Sequence, residues 1–116
     1  MKYLVILNDP AYGTERSYNG LRLAGTLYKR EGVELRVFLM ADSVGCAKSN
    51  QKTPSGYYNL ERMIKVLTLA HVSVGTCGSC IDARGIADTD LVPGVHRSSM
   101  EELTDWAEWA DKVIVF

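Results

Sequence analysis

The sequence VSVGTCGSCIDARG occupies residues 72–85 and joins a predicted strand to a predicted helix through a pair of cysteines. The β-branched residues at its start predict a strand, and residues 81–86 predict a short helix or helical turn. Cys77 and Cys80 are therefore expected at a strand-to-helix turn. Free backbone N–H groups and the positive end of a helix dipole lower the pKa of a thiol there, which favours the thiolate that attacks sulfur and binds metals.

Residues next to the two cysteines complete the predicted site. Gly78 and Ser79 lie between them and are typical of an exposed turn rather than a packed wall. Arg84 follows Cys77 by seven residues and adds a positive charge near the end of the short helix. We expect Cys77 to be the reactive thiol and Cys80 to be its second or resolving thiol.

The composition predicts one ordinary globular domain over residues 1–116. A chain of 116 residues buries about two-thirds of its unfolded surface without disulfides. Hydrophobic residues make up 47% of the chain, charged residues make up 23%, and the net charge is −1 at pH 7. Because there is no basic block, neither nucleic acid nor an anionic membrane is expected as a partner.

The N-terminus and the cysteine count predict a cytoplasmic protein. Lys2 is the only charged residue before the apolar run of residues 3–7, and this run is too short for a secretory signal or a membrane span. The chain has three cysteines, an odd number that argues against a framework of structural disulfides. It favours reactive or metal-binding thiols in a reducing compartment.

Predicted strands and helices alternate along the rest of the chain. Strands are expected at residues 2–8, 33–41, 72–74, 91–95 and 113–116, the fourth weakened by Pro93 and Gly94. Longer helices are expected to begin at Thr14, at Asn59 and at the capping box Ser99 to Glu102. The alternation predicts an α/β fold, a three-layer α/β/α arrangement with a mostly parallel five-stranded sheet and flavodoxin-like layering.

The connections after the first three strands are expected to meet at one edge of the sheet. Sites in parallel sheets form at the carboxyl ends of the strands. The long connection at residues 42–58 carries Cys46, which should therefore approach Cys77 and Cys80. Such long loops are usually functional or disordered. Tyr57 and Tyr58 could anchor this one, line a pocket or contact another subunit, and packing within the domain is the commoner role.

Four interpretations of the thiol pair are open. The pair could be buried and structural, or it could bind zinc, although Cys46, His71 and His96 supply no second pair at the usual spacing. It could form a disulfide, since residues three apart at a helix start are close enough to bond. It could also accept and donate sulfane sulfur as a persulfide.

Several segments resemble the DsrE/DsrF-like sulfur-relay family. They are Cys77 with Arg84 and Gly85, the helix start at residues 99–103, the ending at residues 110–116 and the first loop at residues 8–13. The resemblance covers nearly the whole chain and implies a small α/β protein, commonly a trimer or hexamer. In relay members the cysteine at the position of Cys77 carries sulfur.

A sulfur-relay protein implies sulfur donor and acceptor proteins as partners. The second cysteine, Cys80, departs from the single-cysteine relay members, although some DsrE-like proteins carry a pair here. A second thiol could intercept a Cys77 persulfide, release sulfide and close a disulfide, which would favour release or redox work. No P-loop lysine follows Gly75 and Gly78, and no cofactor or metal is predicted. We expect a sulfur-handling protein, and the alternatives are a dithiol redox protein and a non-enzymatic oligomeric binding module.

Overall fold

A computed structural model describes residues 1–116, and the elements alternate as predicted. The strands are β1 Lys2–Leu7, β2 Glu34–Leu39, β3 Ser73–Cys77, β4 Val95–Ser98 and β5 Lys112–Val115. The α-helices are α1 Arg16–Leu27, α2 Leu60–Leu69, α3 Gly78–Ala83 and α4 Met100–Trp109, and two 3₁₀ turns cover Ala41–Ala47 and Asp88–Asp90. All strands pair in parallel, in the order β4-β3-β2-β1-β5.

Helices cover both faces of the sheet, which confirms the three-layer α/β fold, but they cover them unequally. Leu21 of α1, Ile64 of α2 and Ile81 of α3 share one buried cluster. Leu103 and Trp106 of α4 belong to a second, smaller cluster on the opposite face. Right-handed crossovers explain the division, because the chain moves from β1 to β4 in one direction and returns only once, to β5.

Helix α2 begins where the sequence predicts. The side-chain oxygen of Asn59 accepts a hydrogen bond from the backbone N–H of Arg62 at 3.0 Å. The apolar stripe Leu60, Ile64 and Leu67 is buried, as its helical spacing requires.

Helix α4 has only half of the predicted capping box. The hydroxyl of Ser99 accepts from the backbone N–H of Glu102 at 3.2 Å. The carboxylate of Glu102 does not return to the backbone of Ser99, and it bonds instead to Ser98 and His96. The sequence therefore predicted where the helix begins but not where the glutamate side chain goes.

Several predicted boundaries are wrong. The third strand runs to Cys77 instead of ending at residue 74, and α3 covers Gly78–Ala83 instead of residues 81–86. Helix α1 begins at Arg16, and Thr14 donates its hydroxyl to the Asp9 carboxylate at 2.8 Å instead of capping the helix closely. The fourth strand runs over Val95–Ser98 and not over residues 91–95. Pro93 has no N–H to donate and Gly94 has a φ of +95°, so this part of the predicted strand forms the turn that leads into β4.

The connection at residues 42–58 is ordered by the chain itself. Its first part continues the 3₁₀ turn Ala41–Ala47, which inserts buried side chains into the larger cluster. Gln51 then donates to the carbonyls of Cys46 at 2.8 Å and Lys48 at 2.9 Å. Tyr58 stacks on Tyr18 of α1, with ring centroids 4.1 Å apart. None of the helices is long and apolar enough to cross a bilayer.

Candidate functional site

The thiol turn lies at the carboxyl edge of the sheet. Cys77 is the last residue of β3 and also precedes the first residue of α3. The residue after it must be small, because a Cβ on Gly78 would lie 3.1 Å from the carbonyl oxygen of Ser98 and 2.9 Å from a guanidinium nitrogen of Arg97. The glycine therefore lets the turn pack directly against β4.

Cys77 is the more acidic thiol of the pair. Its partial burial acts to raise the pKa of the thiol. Hydrogen bonds from the Cys80 thiol, the Ser79 hydroxyl and the backbone N–H groups of both residues outweigh burial, so the pKa of Cys77 is lowered from its ordinary value. The Ser79 hydroxyl lies 3.3 Å from the Cys77 sulfur. Cys77 is thus the better site for a thiolate.

Cys80 is held as the protonated partner. Burial and the hydrogen bond to Cys77 raise the pKa of Cys80. The backbone N–H of Ala41, which donates to the Cys80 sulfur at 3.3 Å, and the charge of Arg84 act in the opposite direction. Ala41 has a φ of +52°, an uncommon backbone conformation for a residue with a side chain. The backbone of Ala41 thus supplies a hydrogen-bond donor to the Cys80 sulfur.

Arg84 fixes the short helix to the neighbouring 3₁₀ turn. Its guanidinium donates to the Asp42 carboxylate at 2.7 and 3.0 Å and to the carbonyl of Cys80 at 3.1 Å. Gly85 follows with a φ of +65° and ends α3. The predicted positive charge therefore lies against the thiol turn and is shared with Asp42.

Cys46 lies deeper than the other two thiols. It is 0% exposed, and its sulfur lies 3.9 Å from the carbonyl oxygen of Asp9. Burial raises the pKa of Cys46 to about 12, despite partial compensation by a hydrogen bond with Ser17. The side chains of Cys77 and Cys80 pack against the same cluster from its partly exposed side. A role for Cys46 in the chemistry remains a prediction.

Sequence reasoning missed the charged group opposite the turn. Arg97 of β4 binds the Asp82 carboxylate of α3 at 2.8 and 3.1 Å and the Asp88 carboxylate at 2.8 to 3.2 Å. These hydrogen bonds lower the pKa of both aspartates and raise that of the guanidinium. The predicted fourth strand ends at residue 95 and does not include Arg97, whereas β4 extends to Ser98 and carries it.

A cavity of about 360 Å³ opens beside Cys77, between β2, the thiol turn and the start of α4. Four of its nine lining residues are hydrophobic, Cys77 among them, and the other five are a glycine, an arginine and three serines. The lining residues are Phe38, Met40, Cys77, Gly78, Ser79, Arg97, Ser98, Ser99 and Met100. A pocket of this size admits a small thiol or one side chain of a partner protein.

A second unpredicted feature is a chain of hydrogen bonds that begins beside Cys77. Ser98 pairs with Cys77 in the sheet register, and its hydroxyl donates to Glu102 at 2.5 Å. Glu102 also bonds to His96. Burial acts to raise the pKa of Glu102, but the bonds with Ser98 and His96 lower it. No group of three or more His, Cys, Asp or Glu side chains is arranged to hold a metal ion.

Comparison with known proteins points to one family. A sequence model of the DsrE/DsrF-like family matches residues 1–116. Protein YchN of Escherichia coli is 40% identical over 116 residues, covering 99% of this chain and 98% of that protein. Sulfurtransferase TusD of Salmonella typhi is 30% identical over 129 residues, covering 100% of both. The crystal structure of the E. coli ychN protein aligns with a TM-score of 0.94 at 39% identity, covering 100% of this chain and 99% of that one.

Proposed function

This chain belongs to the DsrE/DsrF-like family, and we propose that it carries or releases sulfane sulfur as a persulfide on Cys77. The observation that carries the proposal is the lowered pKa of a partly exposed thiol at the mouth of a cavity. A sulfurtransferase among the relatives supports a sulfur-relay role in general. We further propose that the protein works in the cytoplasm, where a free thiol pair stays reduced.

Loading requires only a thiolate and a sulfane donor. The thiolate of Cys77 attacks the terminal sulfur of a donor persulfide R–S–SH, the donor S–S bond breaks, and the products are the Cys77 persulfide and the thiolate RS⁻. The Ser79 hydroxyl and the N–H groups at the start of α3 stabilise the attacking anion. An acceptor thiolate removes the terminal sulfur by the same reaction in reverse.

Cys80 offers a second outcome for the bound sulfur. Once deprotonated, Cys80 attacks the inner sulfur of the Cys77 persulfide, which forms a Cys77–Cys80 disulfide and expels hydrosulfide. The N–H of Ala41 and the charge of Arg84 stabilise the Cys80 thiolate that this step needs. The dithiol is oxidised while the sulfane sulfur is reduced, so electrons balance within the protein. The same disulfide is the basis of the alternative proposal, a dithiol redox protein.

A pair of serine substitutions tests the sulfur proposal. After incubation with cysteine persulfide, intact-protein mass spectrometry should show a gain of about 32 Da, one sulfur atom per chain. Cys77→Ser should abolish this adduct, whereas Cys80→Ser should preserve it and prolong its lifetime. Cys46→Ala is the matched control and should load like the natural chain.

Other results identify the alternatives. Loss of loading in Cys80→Ser but not in Cys77→Ser would reverse the two roles. Loading that survives both substitutions would exclude the thiol turn from sulfur chemistry. A chain that never gains sulfur but forms the Cys77–Cys80 disulfide reversibly would favour dithiol redox function. Thiols of ordinary reactivity without either product would favour a non-enzymatic binding module.

We propose that the chain acts as a homo-oligomer, as the family resemblance implies. The sheet register pairs Leu4 with Val113 and Ile6 with Val115, so both valines point towards the face that α4 covers. Leu4 lies under α4, but Val113 and Val115 are 45% and 59% exposed. A second copy of the chain is the partner that we propose for this apolar face.

A further inference from the structure

Arg97 is the only charged residue that lines the cavity beside Cys77, and its charge is already paired. Its Nε donates to Asp88, its Nη1 donates to Asp82, and its Nη2 donates to both. Four of the five guanidinium N–H groups therefore have partners, and none of the bidentate edges remains free for an incoming anion.

The cluster of Arg97 with its two aspartates carries a net negative charge beside the cavity. Arg97 contributes one positive charge, while Asp82 and Asp88 contribute two negative charges. Both carboxylates keep their charge at neutral pH, because the hydrogen bonds with Arg97 lower their pKa values. An anion that approaches Cys77 meets this negative charge as well as the thiolate itself.

The apolar part of the cavity wall favours an uncharged group, whereas Ser79, Ser98 and Ser99 line the polar part. Phe38, Met40 and Met100 line it with apolar and polarizable surface, and Met100 is 61% exposed at the rim. These side chains offer contact area to a thiol or an alkyl group and no donor to an oxyanion.

We infer that Asp82 and Asp88 act as specificity determinants, which make Cys77 react with sulfane donors that are neutral or cationic beside the sulfur and disfavour anionic donors of the thiosulfate class. This inference rests on the proposed function, since it names the class of donor. The disfavoured step is attack of the Cys77 thiolate on the outer sulfur of thiosulfate, which would leave a Cys77 persulfide and sulfite. The favoured step is the same attack on an organic persulfide.

Two alkylating reagents test the charge effect without sulfur chemistry. Iodoacetamide is neutral and iodoacetate is anionic, and both react with the same thiolate, so the ratio of their rates at Cys77 does not depend on its pKa. In a Cys46→Ala, Cys80→Ser background the ratio should favour iodoacetamide more than it does for free cysteine. In the double variant Asp82→Asn, Asp88→Asn the ratio should shift towards iodoacetate by about fourfold at low salt, from two unit charges roughly 10 Å away in water. The shift should shrink in about 1 M salt.

Glu31→Gln is the matched control, because it removes a negative charge from the exposed turn that leads into β2, at the sheet edge opposite Cys77, and should leave the ratio unchanged. The single variants Asp82→Asn and Asp88→Asn should each give part of the shift. A purely structural role of the Arg97 cluster would change both alkylation rates together and leave their ratio constant. A ratio in the double variant equal to that of the parent would overturn the inference.

The rates at which different donors load sulfur onto Cys77 then test whether the same charge effect governs the choice of sulfur donor. The persulfides of cysteamine and 3-mercaptopropionate are similar in size, but the first is cationic and the second anionic. The natural chain should load faster from the cysteamine persulfide, load slowest from thiosulfate, and lose this preference in the double variant. Equal loading from all three donors would overturn the inference while leaving the proposed function intact. An altered alkylation ratio in a chain that never loads would uphold the charge effect and overturn the sulfur function.

Discussion

Alkaline pH should destabilise this fold through one buried thiol, Cys46. The thiol is neutral in the folded protein, where burial raises its pKa to about 12, whereas its ordinary value is 9.0. The unfolded chain therefore releases this proton at lower pH than the folded chain does. The contribution of the neutral thiol is fully present below pH 9 and is lost as the pH rises from 9 through 12.

The size of the effect follows from the difference in pKa. Each unit is worth about 1.4 kcal/mol, so the full difference of three units amounts to roughly 4 kcal/mol. At pH 11 the loss should be about 3 kcal/mol of unfolding free energy. Cys46→Ala removes the titrating group and leaves a small cavity that costs about 1–2 kcal/mol at neutral pH. The natural chain should therefore be the more stable one at pH 8 and the less stable one at pH 11.

Urea unfolding at pH 8, 9, 10 and 11 measures this inversion in the presence of a phosphine reductant. The fluorescence of Trp106, which α4 buries against the sheet, should report the transition. Tyrosines and lysines titrate alike in both proteins, so their effects cancel in the difference. Parallel curves of unfolding free energy against pH for the natural chain and Cys46→Ala would refute the reasoning. They would mean that Cys46 is solvated enough to ionise, as a third member of the thiol site would need to be.

Gly78→Ala and the oligomeric state give two more tests. Gly78→Ala should lower the free energy of unfolding by about 1–3 kcal/mol and slow the alkylation of Cys77, because the new methyl group meets the Ser98 carbonyl at 3.1 Å. Gly25→Ala, where nothing lies within 4 Å of the added atom, should be neutral or stabilising. Urea unfolding compares the two, and equal effects would contradict the close packing of the turn. Light scattering should return a multiple of 12.8 kDa, and Val115→Lys should reduce it. A monomer mass across micromolar concentrations would exclude the homo-oligomer.

The order of strands and helices could be predicted because it depends on local patterns. The Asn59 cap of α2 lies where the sequence predicts. The fourth strand was misplaced because Leu91 and Val92 are buried, as strand residues often are, without belonging to the main sheet. Val92 instead donates its N–H to Ala47 at 2.8 Å, and Leu91 forms an isolated antiparallel bridge to Lys48. Burial alone does not distinguish a strand from a segment that closes a loop.

The uneven coverage of the sheet could not be predicted from the same patterns. The alternation of strands and helices predicts right-handed crossovers, but it does not predict that β5 lies beside β1. That return places α4 alone on its face and exposes Val113 and Val115. The surface we propose for a second copy is therefore a consequence of strand order rather than of any motif.

The two thiols show where prediction of the site reaches its limit. The groups that lower the pKa of Cys77 lie within three residues of it, in Ser79 and Cys80, so a strand-to-helix turn was enough to predict an acidic thiol there. The N–H that donates to the Cys80 sulfur belongs to Ala41, which is 39 residues away at the end of a different strand. A left-handed backbone at Ala41 begins the 3₁₀ turn that packs against α3, and no short motif encodes that contact. The reactivity of Cys77 is thus a local property, whereas the step that would release its sulfur depends on how β2 and β3 lie side by side.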